Sequence, residues 1–180
     1  MKARALGFLI ALTACRSGGG EALSPPGVTM ASLTVTSRSF ASNGEIPVDY
    51  TCDGANRSPQ LTWSAPPPGT KSFAIVVEDP DAPSGAFTQW IVYNINADTR
   101  ALPEGVDAAT VGGSSGLNDF KRPGYGGPCP PQLEMHHYAF RVFALNSQLG
   151  EGPELDRDSF EAAMSGHVLA AGTLVGSFSH

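Results

Sequence analysis

The sequence predicts an all-β fold, a β-sandwich with one or two short peripheral helices. Three observations carry that expectation. Gly (21) and Pro (15) are both abundant among 180 residues, so turns are frequent and strands short. Two nearly continuous apolar runs, 72–78 and 90–95, read as strands covered on both faces. Turn clusters such as Cys52-Asp53-Gly54, Pro66-Pro67-Pro68-Gly69 and Pro123-Gly124 punctuate the chain between such runs.

The elements follow in order. Met1-Lys2-Ala3-Arg4 is a short positive segment, and residues 5–11 are apolar but far too short to span a bilayer as a helix. They lead into Leu12-Thr13-Ala14-Cys15, which resembles a bacterial lipobox. Residues 1–14 are therefore expected to be a signal peptide and Cys15 a lipidation site; an ordinary secretory signal ending near a cysteine is the alternative. Residues 15–32 are rich in Ser, Gly and Pro and read as a flexible tether, leaving 33–180 as the folded domain. Residues 33–40 alternate apolar and polar, 60–63 form a short run, and 138–145 a longer one. A last strand spans 168–178, interrupted by Gly172 and Gly176. One helix is expected near 159–165, with Asp158 as N-cap, Glu161 three residues on and Gly166 as its stop. It carries few apolar positions and belongs at the periphery.

Composition bounds the function. Hydrophobic residues make up 41% and charged residues 16%, enough for one domain with a real core. A net charge of −6 without any basic stripe argues against a nucleic-acid partner. Beyond Cys15 two cysteines remain, Cys52 and Cys129. In an exported chain an even count suggests a disulfide, and closing a 77-residue separation is worth about 4 kcal/mol in the chain-entropy picture. Two buried free thiols are the alternative.

Two proline-bound clusters hold the ionisable candidates. Asp79-Pro80-Asp81-Ala82-Pro83 closes an apolar run, so the Asp79 carboxylate must be paired or hydrogen-bonded there. Asp81 sits inside the turn and suits a turn-forming role. Gly127-Pro128-Cys129-Pro130-Pro131 precedes His136-His137-Tyr138. Strand alternation puts His136 and Tyr138 on one face and His137 on the other, where a solvated or salt-bridged role is expected.

Several motifs in order now resemble a known family. They are Tyr50-Thr51-Cys52-Asp53-Gly54, Ser58-Pro59-Gln60-Leu61-Thr62-Trp63, the Asp79 cluster, Gln89-Trp90-Ile91-Val92-Tyr93-Asn94-Ile95, Gly124 through Pro131, His136-His137-Tyr138-Ala139-Phe140 and Gly166-His167-Val168-Leu169-Ala170. The chain is similar, over about residues 33–179, to the phosphatidylethanolamine-binding protein family in its bacterial, Raf-kinase-inhibitor-like branch. The resemblance implies a β-sandwich with a small anion pocket for phosphate, phosphorylethanolamine or related head groups. Asp79, His136 and Tyr138 would line it, with Pro130 and the backbone around Cys129 as its rim. A second pocket histidine normally precedes the tryptophan now at Trp90; here Gln89 stands there, and the resemblance counts Gln89 and Trp90 among the ligand-binding residues. Glutamine carries no charge, so a weaker grip on anions is expected.

The leading expectation is a non-enzymatic binding protein for a small phosphorylated or anionic ligand, with no cofactor and no metal. Its membrane contact would be the Cys15 lipid anchor, in a bacterial envelope. Arg16, in place of the Asp associated with inner-membrane retention, leans towards the outer membrane or a periplasm-facing position. Inhibition of a kinase or protease is a family association that no residue here carries. A structural or interaction protein with a vestigial pocket is the runner-up. A hydrolase is the third class: Gly112-Gly113-Ser114-Ser115-Gly116 matches G-x-S-x-G, but without a strand before and a helix after. Asp79, Asp81, His136 and His137 are a poor metal set, because adjacent strand residues face opposite ways.

Overall fold

The computed structural model describes residues 30–150 and 154–180. The expected signal segment, Cys15 and most of the expected tether lie outside the described residues. Among these residues, two sheets and one α-helix make up the fold. The large sheet holds β1 (Ala31–Ser32), β3 (Gly44–Glu45), β5 (Ser72–Asp79), β6 (Phe87–Asn96), β8 (Ser114–Ser115), β9 (Met135–Leu145) and β10 (Val168–Ser179). Its order is β1-β10-β9-β5-β6-β8, with β3 also pairing with β10. The small sheet runs β2-β4-β7, formed by β2 (Val35–Thr36), β4 (Leu61–Trp63) and β7 (Ala101–Leu102). Two 3-10 turns (Val48–Tyr50 and Ala108–Val111) and helix α1 (Arg157–Met164) complete it.

Period-two alternation on β5 builds both halves of the core. Phe73, Ile75 and Val77 join Leu61, Trp63 and Leu102 of the small sheet between the two layers. Ala74 and Val76 turn outward and are covered by Phe160 and Met164 of α1. All eight residues of β5 are therefore buried, as its unbroken apolar run predicts. The glycines within β10 admit neighbouring chain. A Cβ on Gly172 would stand 2.1 Å from the Leu33 carbonyl oxygen, and one on Gly176 would meet Ile46 and Phe40.

Three expectations need correction. Residues 33–40 are not one strand: β1 joins the large sheet and β2 the small one, so the chain changes layers near Leu33. Beyond Thr36, Ser37 and Ser39 bond to the backbone of Gln60 and to each other, which diverts the chain from any ladder. The ordered domain also begins inside the expected tether, since Ala31 and Ser32 already pair with Ala170 and Ala171. Finally, α1 is capped by Asp156, which accepts from the Ser159 N–H at 3.0 Å; Asp158 falls in the first turn, where its charge faces the positive end of the helix.

Candidate functional site

The strand ends converge on one cavity. β5 ends at Asp79 and the neighbouring antiparallel β9 begins at Met135, so Asp79 and His136 meet at the same end of two central strands of the large sheet. His136 Nδ1 lies 2.7 Å from Asp79 Oδ2, and both side chains are about 5% exposed. The other Asp79 oxygen accepts from the Asp81 N–H at 2.9 Å, the turn bond expected of Asp before Pro. The pair lines a cavity of about 260 Å³ together with Gln89, Cys129 and Pro130. Its remaining walls are Ala82, Pro83, Phe87, Phe120 and Pro131.

Electrostatics favour a charged imidazole. The Asp79 hydrogen bond raises the His136 pKa above its ordinary value, burial opposes the rise, and Glu134 adds to it. Glu134 Oε2 stands 3.3 Å from His136 Nε2, so a carboxylate reaches each ring nitrogen. His136 is the cationic side chain of the cavity wall among the described residues. Hydrogen bonds to this group gain from the apolar walls, which lower the local dielectric.

Gln89 reaches the wall by a backbone irregularity. Val77 pairs with Trp90 but Glu78 pairs with Thr88, so Gln89 is skipped in the β5–β6 register. Such a bulge re-aims one side chain. Without it, Gln89 would face away from Trp90, on the α1 side of the sheet. The carbonyls of Gly126 and Gly127 around its amide assign the NH2 to that side, where Nε2 donates to them at 2.7 Å and 3.2 Å. Both donors of that NH2 are thereby used on the loop rather than offered to a ligand.

Two expected wall residues do not reach the cavity. Trp90 is buried between the sheets, its ring edge-on to Tyr125 at 5.6 Å. Tyr138 is fully buried, and its hydroxyl has no hydrogen-bond partner among the described residues. Burial and then the Asp79 charge raise its pKa. Both belong to the floor under the site. Asp81 and His137 form the expected separate surface pair: Asp81 Oδ2 accepts from the His137 N–H and lies 2.7 Å from its Nδ1, which lowers the Asp81 pKa. Cys52 and Cys129 are disulfide-bonded, with Cα atoms 5.5 Å apart.

Sequence reasoning missed Phe87, Phe120 and Glu134. Phe87 is the register partner of Asp79, and its ring meets Phe120 edge-on at 4.9 Å. Alternation back from the Trp90 strand gives no warning of this, because the bulge intervenes. Glu134, two residues before His136, carried the available signal: on a strand, positions i and i+2 share a face.

A two-sheet β fold with a buried carboxylate–imidazole pair beside a proline-walled cavity is a binding fold of the phosphatidylethanolamine-binding kind. Residues 36–179 match the phosphatidylethanolamine-binding protein family, and the chain belongs to it. A UPF0098 protein of Aquifex aeolicus is 46% identical over 150 residues, covering 81% of this chain and 88% of that one. A Mycobacterium tuberculosis relative named as a lipoprotein, LppC, is 36% identical, covering 96% of this chain and 92% of its own. Among solved structures, a phosphatidylethanolamine-binding protein homologue from Chlamydia trachomatis, CT736, has a TM-score of 0.77 and 34% identity, covering 83% of this chain and 98% of that one. YbcL of E. coli, described as a member of the mammalian family, gives the same TM-score at 32% identity, over 83% of this chain and 99% of its own. Family membership supports a binding-protein kind of function. No helix among the described residues is long and apolar enough to cross a membrane.

Proposed function

We propose that this protein binds a small phosphorylated or anionic ligand, without turning it over, in the cavity beside Asp79 and His136. The observation that carries this reading is the 2.7 Å bond between the two buried side chains. Asp79 fixes the ring through Nδ1, which leaves the Nε2 proton to be offered to an incoming oxygen. The apolar walls strengthen that charged hydrogen bond by keeping water back. Glu134 now stands at the same nitrogen, so an anion must displace a half-exposed carboxylate.

Affinity is modest for two physical reasons. One imidazolium faces the carboxylates of Asp79 and Glu134, and Gln89 has committed its donors to the 126–127 backbone. A hydrolytic role has little support. Ser114 of the G-x-S-x-G segment lies on β8, three strands away from β9 in the sheet, and Cys129 is tied in its disulfide. Attachment to a bacterial envelope through Cys15 is part of the same reading, supported by the lipoprotein name of the mycobacterial relative.

Titration calorimetry with inorganic phosphate and with phosphorylethanolamine tests the proposal. Heat that is lost in His136→Ala and strengthened in Glu134→Gln is the expected result. Gln89→His should raise affinity about fivefold, since a charged hydrogen bond outweighs a neutral one by about 1 kcal/mol. No heat with either ligand in the native protein, at a pH where His136 is charged, overturns it. The used-up Gln89 amide would then favour an interaction protein with a vestigial pocket.

A further inference from the structure

A cluster of metal-ligating groups shares Cys129 with the wall of the cavity. Cys52 follows the 3-10 turn Val48–Tyr50, Cys129 sits on the loop before β9, and His180 follows β10. One ligand atom from each of the three falls within 4.8 Å of the other two, at the protein surface. Asp53 completes the group. Its Oδ2 is 2.8 Å from His180 Nδ1, so this nitrogen holds the proton and Nε2 is left free for a ligand bond. The His180 ring also rests edge-on against Phe178 at 5.7 Å, which limits its swing.

As the structure stands, the sulfurs are bonded to each other and bind no metal. We propose that reduction of Cys52–Cys129 creates a zinc-class metal site formed by the two thiolates and His180, oriented by Asp53. An external dithiol supplies the two electrons. Its thiolate attacks one sulfur, the Cys52–Cys129 bond breaks, and a mixed disulfide forms. The second thiol of the reductant resolves that intermediate and leaves as a cyclic disulfide, with two protons retained on the cysteines. Zn2+ then displaces both protons and takes two thiolates and one imidazole, with water in the fourth position.

Geometry favours this outcome over two drifting thiols. Two thiolates on one tetrahedral Zn2+ stand about 3.8 Å apart, at Zn–S distances of about 2.3 Å. Cα atoms 5.5 Å apart reach that by side-chain rotation alone. The two loops also stay joined without the covalent bond. The Cys52 N–H donates to the Pro128 carbonyl at 3.0 Å, the Gly127 N–H to Asn56 Oδ1 at 2.7 Å, and the Tyr125 hydroxyl to the Tyr50 carbonyl at 2.9 Å. Each of these bonds spans the same junction as the disulfide. Cys129 and Pro130 also line the ligand cavity, so metal and redox state would act directly on its wall.

The test uses the full chain carrying Cys15→Ser, so that two thiols remain after reduction with a phosphine. Cobalt(II) is the probe, read by thiolate-to-cobalt charge-transfer absorption, with Zn2+ as competitor. Expected are one Co2+ per reduced chain, bleaching by Zn2+, and no band in the oxidised protein. Asp53→Asn should weaken binding about 10–100-fold and His180→Ala at least as much. An unchanged affinity in His180→Ala, or no charge-transfer band in the reduced native protein, overturns the proposal. Circular dichroism guards the fold: where reduction costs structure, Zn2+ must restore it in the native chain and fail to in His180→Ala. A reduced chain that Zn2+ does not refold counts equally against the site.

Discussion

Replacing Asp79 by Asn asks whether the buried pair keeps His136 charged. The substitution preserves shape and the acceptor for the Asp81 N–H while deleting the charge. In the native protein the His136 pKa is raised, first by the Asp79 hydrogen bond. A raised pKa means the folded state holds its proton more tightly than the unfolded chain does. The contribution to stability is thus full below the unfolded value of about 6.5 and is lost as pH rises through the folded-state value. A charged hydrogen bond is worth about 1.5–3 kcal/mol, and stranding one buried partner costs about 3–5 kcal/mol. His136 escapes part of that cost by releasing its proton, with Glu134 still 3.3 Å away. The expected loss is about 2–3 kcal/mol at about pH 5.5 and about 1 kcal/mol or less at about pH 8.5. In urea the acid-side loss moves the midpoint by about 1 M. Fluorescence of the two buried tryptophans, Trp63 and Trp90, reports the transition with the disulfide intact. A loss equal at both pH values, or larger in alkali, would refute the reasoning.

Two further substitutions test the framework around the site. Phe160→Ala removes the fully buried ring that α1 sets over Ala74, Val76 and Ile91; a loss of about 3–5 kcal/mol in urea unfolding is expected, with His136 titration by NMR unchanged. A small loss would show that α1 does not close that face. Leu133 holds φ +68° on the loop before β9 while 95% exposed, so its side chain supports nothing that offsets the left-handed backbone. Leu133→Gly should relieve about 1–2 kcal/mol and give back about 0.5–1 in unfolded-chain entropy, raising Tm by about 2–4 °C. A lower Tm would contradict this account.

Local chemistry made much of the fold legible in the chain itself. The run 72–78 declared a strand covered on both faces because every residue in it is apolar or small until Glu78, and β5 is buried throughout. Alternation separated His136 from His137, and the structure buries the first and exposes the second. Asp79 announced a partner because a carboxylate at the end of such a run cannot be left bare. Short pieces were not legible. β1 and β2 are two residues each, too short for any period to register, and they separate only because two different sheets claim them.

By itself, then, the sequence determined the long strands, the two faces of β9 and the need of Asp79 for a partner, because these rest on local period and polarity. Tertiary structure decided the rest of the site. Only the β5–β6 bulge turns Gln89 to the side of Trp90, and only the 126–127 backbone takes up its amide. Only the packing of strand ends puts Phe87, Phe120 and Glu134 around His136 while leaving Trp90 and Tyr138 beneath them. The physical reason is register: a skipped residue changes which face every following side chain takes, and register is fixed by partners far away in the chain.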